Sequence, residues 1–287
     1  MIVKKFVSLF NSKAFKFALM VGLLIASVLI AIAVLLGRQA GNFVIRVQEG
    51  DVTKSIAITD QMEQVTIDEY MFNGNTTYYV YENDRYRKVD KTTEVYDQEQ
   101  TYYIDSPRTN ANGVVEGSKL SASGVENMTD YSSKYIFEDS YKSIREYSEV
   151  PGSQYIENSV YIYTFYIANT GTGSVGVNAQ LKYSGTTKNI DNALRVMTFY
   201  TQNGQDHVGF YQKEDTTQVN YEDYLETPTT WSASPAFNDD SMVINYEDGD
   251  NFVKYSIIFW LEGNDPDCTD AILGGSIKFD LYLSVNM

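Results

Sequence analysis

Ser276–Asn286 reads SIKFDLYLSVN. Ile277, Phe279, Leu281, Leu283 and Val285 share one parity, while Ser276, Lys278, Asp280, Tyr282, Ser284 and Asn286 share the other. Successive side chains of a strand point to opposite faces, so a period of two with one apolar parity marks a half-buried β-strand. Other stretches follow the same rule. Phe43, Ile45 and Val47 alternate with polar or smaller neighbours, Val175–Tyr183 keeps its apolar residues on odd positions, and Val253, Tyr255, Ile257, Phe259 and Leu261 share a parity. Ser159–Gly171 (SVYIYTFYIANTG) and Ala193–Tyr200 (ALRVMTFY) are apolar on both parities. Such β-branched and aromatic runs predict central strands covered on both faces.

Turn signals separate these runs: Thr170-Gly171-Thr172-Gly173, Ser184-Gly185, Asn203-Gly204 and Asp248-Gly249. Short strands at such intervals, without a long amphipathic helix, predict an all-β fold of the β-sandwich or jelly-roll type. Residues from about 60 to 155 have another texture, rich in Tyr, Thr, Asp, Glu and Asn and poor in Leu. They read as an insertion into the sandwich. Thr76–Asp105 suggests hairpins, Pro107–Asp130 a loop, and Tyr131–Val150 a short helix or a further hairpin.

The first forty residues stand apart. Phe17–Leu36 (FALMVGLLIASVLIAIAVLL) is an uncharged apolar run of 20 residues. As a helix it would be ~30 Å long, the thickness of the hydrocarbon core of a bilayer. Lys4, Lys5, Lys13 and Lys16 precede it with no acidic residue among them. The expected arrangement is a basic cytoplasmic tail (1–16), a transmembrane helix in the lipid bilayer (17–36) and an extracellular part (41–287). A signal-peptidase site after Ala40 would place Arg38 at −3, where a small residue is required, so a retained signal-anchor is expected.

All 38 acidic residues follow residue 40, and only 17 of the 22 basic residues do. A part this acidic repels nucleic acid and anionic headgroups, which leaves solubility or cation binding as the meaning of the charge. The single cysteine, Cys268, excludes a disulfide framework. As a nucleophile it is poorly placed, because Asp265, Asp267 and Asp270 favour the thiol over the thiolate. One Cys and one His (His207) do not make a zinc centre. Calcium is the one metal with suitable ligands nearby. Glu262, Asp265, Asp267 and Asp270 offer hard oxygen donors within nine residues, although their spacing is not that of a helix-loop-helix site and Pro266 interrupts it. The plainer account is an acidic turn between two strands, with Gly274-Gly275 supplying backbone freedom.

Twenty-four tyrosines form either a recognition surface or sheet packing. No Gly-rich phosphate loop, Gly-x-Ser-x-Gly elbow or basic stripe is present.

The layout resembles the camelysin and TasA family of exported bacterial proteins. The matching parts are Phe43–Val47 directly after the apolar segment, Ile167–Val177 (IANTGTGSVGV) and Asn264–Asn286 (NDPDCTDAILGGSIKFDLYLSVN). The resemblance implies a jelly-roll domain at a Gram-positive cell surface, in some members assembled into matrix fibres. The Tyr-Phe-Ser-Asp-like stretch that usually follows the export segment is missing here. Some members are described as metallopeptidases, but the ligands for that activity are not in this sequence. The reading reached from sequence is therefore a non-enzymatic surface protein acting by protein contacts or self-association, in a matrix, an envelope complex or adhesion. Its alternatives are a membrane-tethered hydrolase with a carboxylate or calcium site at Glu262–Asp270, and a glycan-binding module using exposed aromatics such as Trp231.

Overall fold

The computed structural model describes residues 43–47, 56–107, 114–115, 136, 141–156, 159–214, 228–231, 237–246, 251–272 and 275–286. The chain divides into units 1–40 and 41–287, and the described residues all belong to the second. The tail and apolar run of residues 1–36 therefore lie outside them. Among the described residues no helix is long and apolar enough to cross a membrane.

The protein is predominantly β. One sheet has five strands in the order β14 (Phe237–Ile244), β10 (Val175–Thr186), β16 (Ile277–Asn286), β1 (Phe43–Val47) and β7 (Val114–Val115). A second has the order β13 (Thr229–Trp231), β12 (Gln205–Lys213), β11 (Leu194–Gln202), β15 (Phe252–Leu261), β9 (Val160–Asn169) and β2 (Ile56–Thr59), with β8 (Gly152–Ile156) also pairing with β9. Most neighbours are antiparallel. The exceptions are β12 with β13, and β1 with β16, where Phe43 lies opposite Phe279 and Val47 opposite Leu283 in parallel register.

The odd positions of β16 and β10 form one side of a common core. Leu281, Leu283, Val177, Ala179 and Leu181 are buried there with Tyr161, Tyr163, Phe165 and Ile167 of β9, and with Val196, Ile257 and Phe259 of β11 and β15. Phe259 and Phe279 bridge the two sheets with ring centroids 5.0 Å apart.

The apolar even positions of β9 have their own cover. Val160 and Ile162 pack with Met197, Phe199, Ile258 and Trp260 under Ile144, on the helix Tyr141–Ser148. Ile144 is fully buried, and a side chain of that size contributes about 2 kcal/mol by leaving water. Further along the same face, Tyr166 packs with Met62, Tyr79 and Tyr86. These belong to a four-stranded sheet in the order β3 (Met62–Val65), β6 (Tyr102–Pro107), β4 (Tyr79–Glu82) and β5 (Arg85–Lys88). All ten positions of β9 are buried because the two-layer core lies on one side and this added layer on the other.

Most of the tyrosine-rich character is used in this packing. Tyr78 and Tyr102 join Phe72 in a separate cluster of the small sheet, and Tyr79, Tyr86, Tyr161, Tyr163, Tyr166, Tyr200 and Tyr255 are buried. Tyr70, Tyr81 and Tyr246 are the described tyrosines that are largely exposed. Trp231 is buried in the main core, only 5 % exposed. This corrects its expected role as a surface aromatic: β13 runs beside β12 and turns the indole inward.

Candidate functional site

The chain leaves β15 at Leu261 and reaches β16 through Glu262–Ser276, the acidic stretch singled out above. Its backbone is tied into successive tight turns, with Asp265 N–H donating to Glu262 O (3.0 Å) and Cys268 N–H to Asp265 O (2.9 Å). Asp270–Ile272 then forms one 3-10 turn. The Glu262 N–H donates to Ala193 O at 2.8 Å, which fastens the start of the turn to β11.

The four carboxylates do not face a common point. Glu262 is fully buried, and its Oε1 accepts from Asn264 N–H at 3.3 Å. Asp265 is 4 % exposed: its Oδ2 takes Arg195 Nη2 at 2.6 Å and its Oδ1 takes Asp267 N–H at 2.8 Å. Asp267 accepts the Asn192 side-chain amide at 3.2 Å. Asp270 is exposed. Among the described residues, no three His, Cys, Asp or Glu side chains are grouped as metal ligands. The cation at Asp265 is the Arg195 guanidinium, which also donates to the carbonyls of Asn192 and Leu194 at 3.1 Å each.

A second pair continues the network. Lys213 Nζ lies 2.6 Å from Asp191 and 2.8 Å from Asn192 Oδ1, and Thr186 also donates to Asp191 at 3.0 Å. Asp191 and Arg195 are both buried. Each buried charge thus has an opposite charge and hydrogen bonds, the condition for tolerating it in a low dielectric. The result joins β10, β11, β12 and the 262–272 turn at one end of the molecule. Arg195 carries a sequence signal overlooked at first: it is the one charge in an otherwise apolar run, ALRVMTFY, and so required a buried acid.

Gly275 acts differently from the expectation that it lends backbone freedom. A Cβ there would sit 2.8 Å from Ile272 O and 3.1 Å from Thr187 O, so the residue permits close approach of two chain segments. Cys268 is half-buried against the main core. His207 stacks on Tyr200 with ring centroids 4.5 Å apart, five residues along β11 from Arg195 and thus roughly 17 Å away.

The Ile167–Val177 motif has a defined task. Asn169 is 3 % exposed, and its Nδ2 donates to Gly173 O (2.8 Å), Ile244 O (3.1 Å) and Asn245 O (2.9 Å). Its Oδ1 accepts Gly171 N–H at 2.8 Å. One amide therefore closes the β9–β10 turn and holds the end of β14.

Two concavities border the small sheet. One, of about 330 Å³, surrounds an ion pair between Lys254 and Asp105 (2.7 Å), with Tyr166 donating to the other Asp105 oxygen at 2.7 Å. Burial and the Asp105 carboxylate raise the Tyr166 phenol far above its ordinary range. The other, of about 540 Å³, lies between the β4–β5 hairpin and β8. Asn83 and Asp84 form the hairpin tip with φ of 51° and 60°, the paired left-handed residues of a tight two-residue turn. Beside it, Tyr81 is 46 % exposed and packs edge-on against Tyr86 at 4.9 Å. Burial pushes the Tyr86 phenol up to about 12, so it remains a hydrogen-bond donor at neutral pH. Sequence reasoning read this region as tyrosine-covered hairpins but could not show that β8, some 70 residues later, forms the facing wall.

No protein-family model, curated protein or solved structure matches the chain.

Proposed function

We propose that the chain is a membrane-anchored surface protein that acts through protein–protein contacts and not by catalysis. The observation that carries this reading is the order of the parts: a lysine-flanked, uncharged 20-residue apolar run, then an acidic, β-rich unit beginning within a few residues. Such a run resides in the bilayer with its basic flank in the cytoplasm, and the acidic unit faces outward. The burial and mutual pairing of Asp265, Asp191, Arg195 and Lys213 favour a stabilising role for the charges of the 262–272 region.

The exterior part is proposed to be a jelly roll of the camelysin and TasA type. In support, β1-β16-β10-β14 faces β9-β15-β11-β12, and the chain crosses between the sheets repeatedly, as two interleaved Greek keys require. The parallel pairing of β1 with β16 departs from an all-antiparallel jelly roll.

A means of association is available at β14. Among the described strands it pairs only with β10, and its far end presents the half-exposed Val243 and Tyr246. The Gln202 side chain covers one carbonyl, that of Val243. The remaining edge offers main-chain groups for strand addition by a partner or a second copy.

The test is protease treatment of intact cells expressing the full chain with a C-terminal tag, followed by membrane extraction. Loss of the tag from intact cells, with the N-terminal remnant released only by detergent, is the expected result. A tag protected until lysis, or a chain recovered without detergent, overturns the reading.

A further inference from the structure

From the cleft between the β4–β5 hairpin and β8, we infer a binding site for a neutral glycan, taking one or two pyranose units of a longer chain. The inference rests on the exterior placement proposed above only for the source of the glycan.

The cleft volume of about 540 Å³ lies within the range of small-ligand sites, roughly 300–1,000 Å³, and accommodates a disaccharide. Its polar groups are held in place before any ligand arrives. Asp60 Oδ1 accepts from Gln61 Nε2 at 3.0 Å and its Oδ2 from Tyr163 OH at 3.0 Å. Gln61 Oε1 in turn accepts from Tyr86 OH at 3.2 Å, and that phenol oxygen accepts Met62 N–H at 3.2 Å. A carboxylate has about four lone-pair sites and a primary amide two N–H groups, so Asp60 and Gln61 retain capacity toward the cleft. The tip adds Asn83 and Asp84, both exposed, and Arg85 beside them.

A sugar hydroxyl donates and accepts at once, and therefore suits a wall where fixed acceptors and amide donors alternate. The less polar C–H face of a pyranose needs a flat aromatic surface. Tyr81, nearly half exposed, and Tyr155, half-buried on the facing strand, provide one on each side. Edge-on packing of Tyr81 on Tyr86 (4.9 Å) and of Tyr155 on Tyr161 (5.1 Å) keeps both rings from turning freely. The chemistry also selects against other ligands. The lining lacks an aliphatic pocket of the kind that anchors a peptide side chain, and the acidic surface repels polyanionic glycans.

The test uses the full chain in a non-glycosidic detergent, titrated separately with cellohexaose, chitohexaose and maltohexaose while ligand line broadening is followed by NMR. Saturable binding of at least one oligosaccharide is expected, weakened about tenfold by Tyr81→Ala and by Asp84→Asn. The second substitution keeps a residue suited to the left-handed turn, so the hairpin is retained. Tyr70→Ala, on an exposed tyrosine outside the cleft, is expected to change nothing. Absence of saturable binding by all three probes, or binding indifferent to Tyr81→Ala and Asp84→Asn, overturns the site. Micelle binding does not depend on membrane sidedness. A chain that binds glycan but is protected from protease on intact cells therefore refutes the surface placement and leaves the cleft standing.

Discussion

Asp265→Asn isolates the charge of the buried pair at the end of the molecule. The Asn side chain has nearly the same volume, and its carbonyl oxygen can still accept the Asp267 N–H that Oδ1 accepts now, at 2.8 Å. The Arg195 guanidinium, whose side chain is 2 % exposed, loses the carboxylate oxygen 2.6 Å away. An uncompensated buried charge costs about 3–5 kcal/mol when one partner of such a pair is removed. For a unit of this size each kcal/mol lowers the melting temperature by about 2–4 °C, so a drop of roughly 6–20 °C is expected. The assay is thermal and urea unfolding of residues 41–287 as wild type, Asp265→Asn, Arg195→Met and the double variant. Removing both charges relieves the penalty each single change creates, so the double variant should be more stable than additivity predicts by ~2 kcal/mol. A fall of less than about 3 °C for Asp265→Asn, or additivity within about 0.5 kcal/mol, would refute the claim that the pair is desolvated and coupled.

The same unfolding assay reaches further. Both Asp265 oxygens already have partners, so millimolar calcium is expected to leave the melting temperature unchanged; a rise of several degrees that vanishes in Asp265→Asn would restore the acidic turn as a cation site. Asn169→Ala removes the amide that serves three carbonyls and one N–H, and at about 1 kcal/mol per bond a loss of about 2–4 kcal/mol is expected in urea unfolding. Gly275→Ala forces a Cβ to within 2.8 Å of a backbone oxygen and should cost about 1–3 kcal/mol; an unchanged midpoint would show that the two segments separate freely. Burial holds the phenols of Tyr79 and Tyr86 up to about 12, above the ordinary 10. Their raised folded-state values mean that this contribution is complete below pH 10 and is lost as pH rises through about 12. Absorbance at 295 nm should accordingly show these two ionising late, together with unfolding, and a titration complete near pH 10 would contradict their burial.

How much of this was legible in the residues depended on the range of the cause. Alternation in Ser276–Asn286 and in Phe252–Leu261 reports which face of a strand is buried, a local property of period two, and both strands form where it placed them. The two-sided apolar run of β9 likewise announced cover on both faces. What supplied the second cover, a helix carrying Ile144 and a small sheet carrying Tyr79 and Tyr86, was not readable, because those residues lie 16 to 87 positions away from Val160–Tyr166. The tyrosines show the limit of composition most plainly. The same residue type fills the core at Tyr163, meets solvent at Tyr70 and flanks a cleft at Tyr81.

The acidic turn was correctly placed between its two strands, and Arg195 stood out as a charge among apolar neighbours. That Arg195 and Asp265, 70 residues apart, meet at 2.6 Å follows only from the antiparallel pairing of β11 with β15, which sets Leu194 opposite Leu261. Sequence by itself determined the apolar export run, the acidic exterior and the β character, because charge and periodicity are carried by neighbours along the chain. Tertiary structure alone decided which carboxylates are neutralised, which tyrosines remain at the surface and where a cleft opens, because burial and electrostatic pairing act between residues that only the fold brings together.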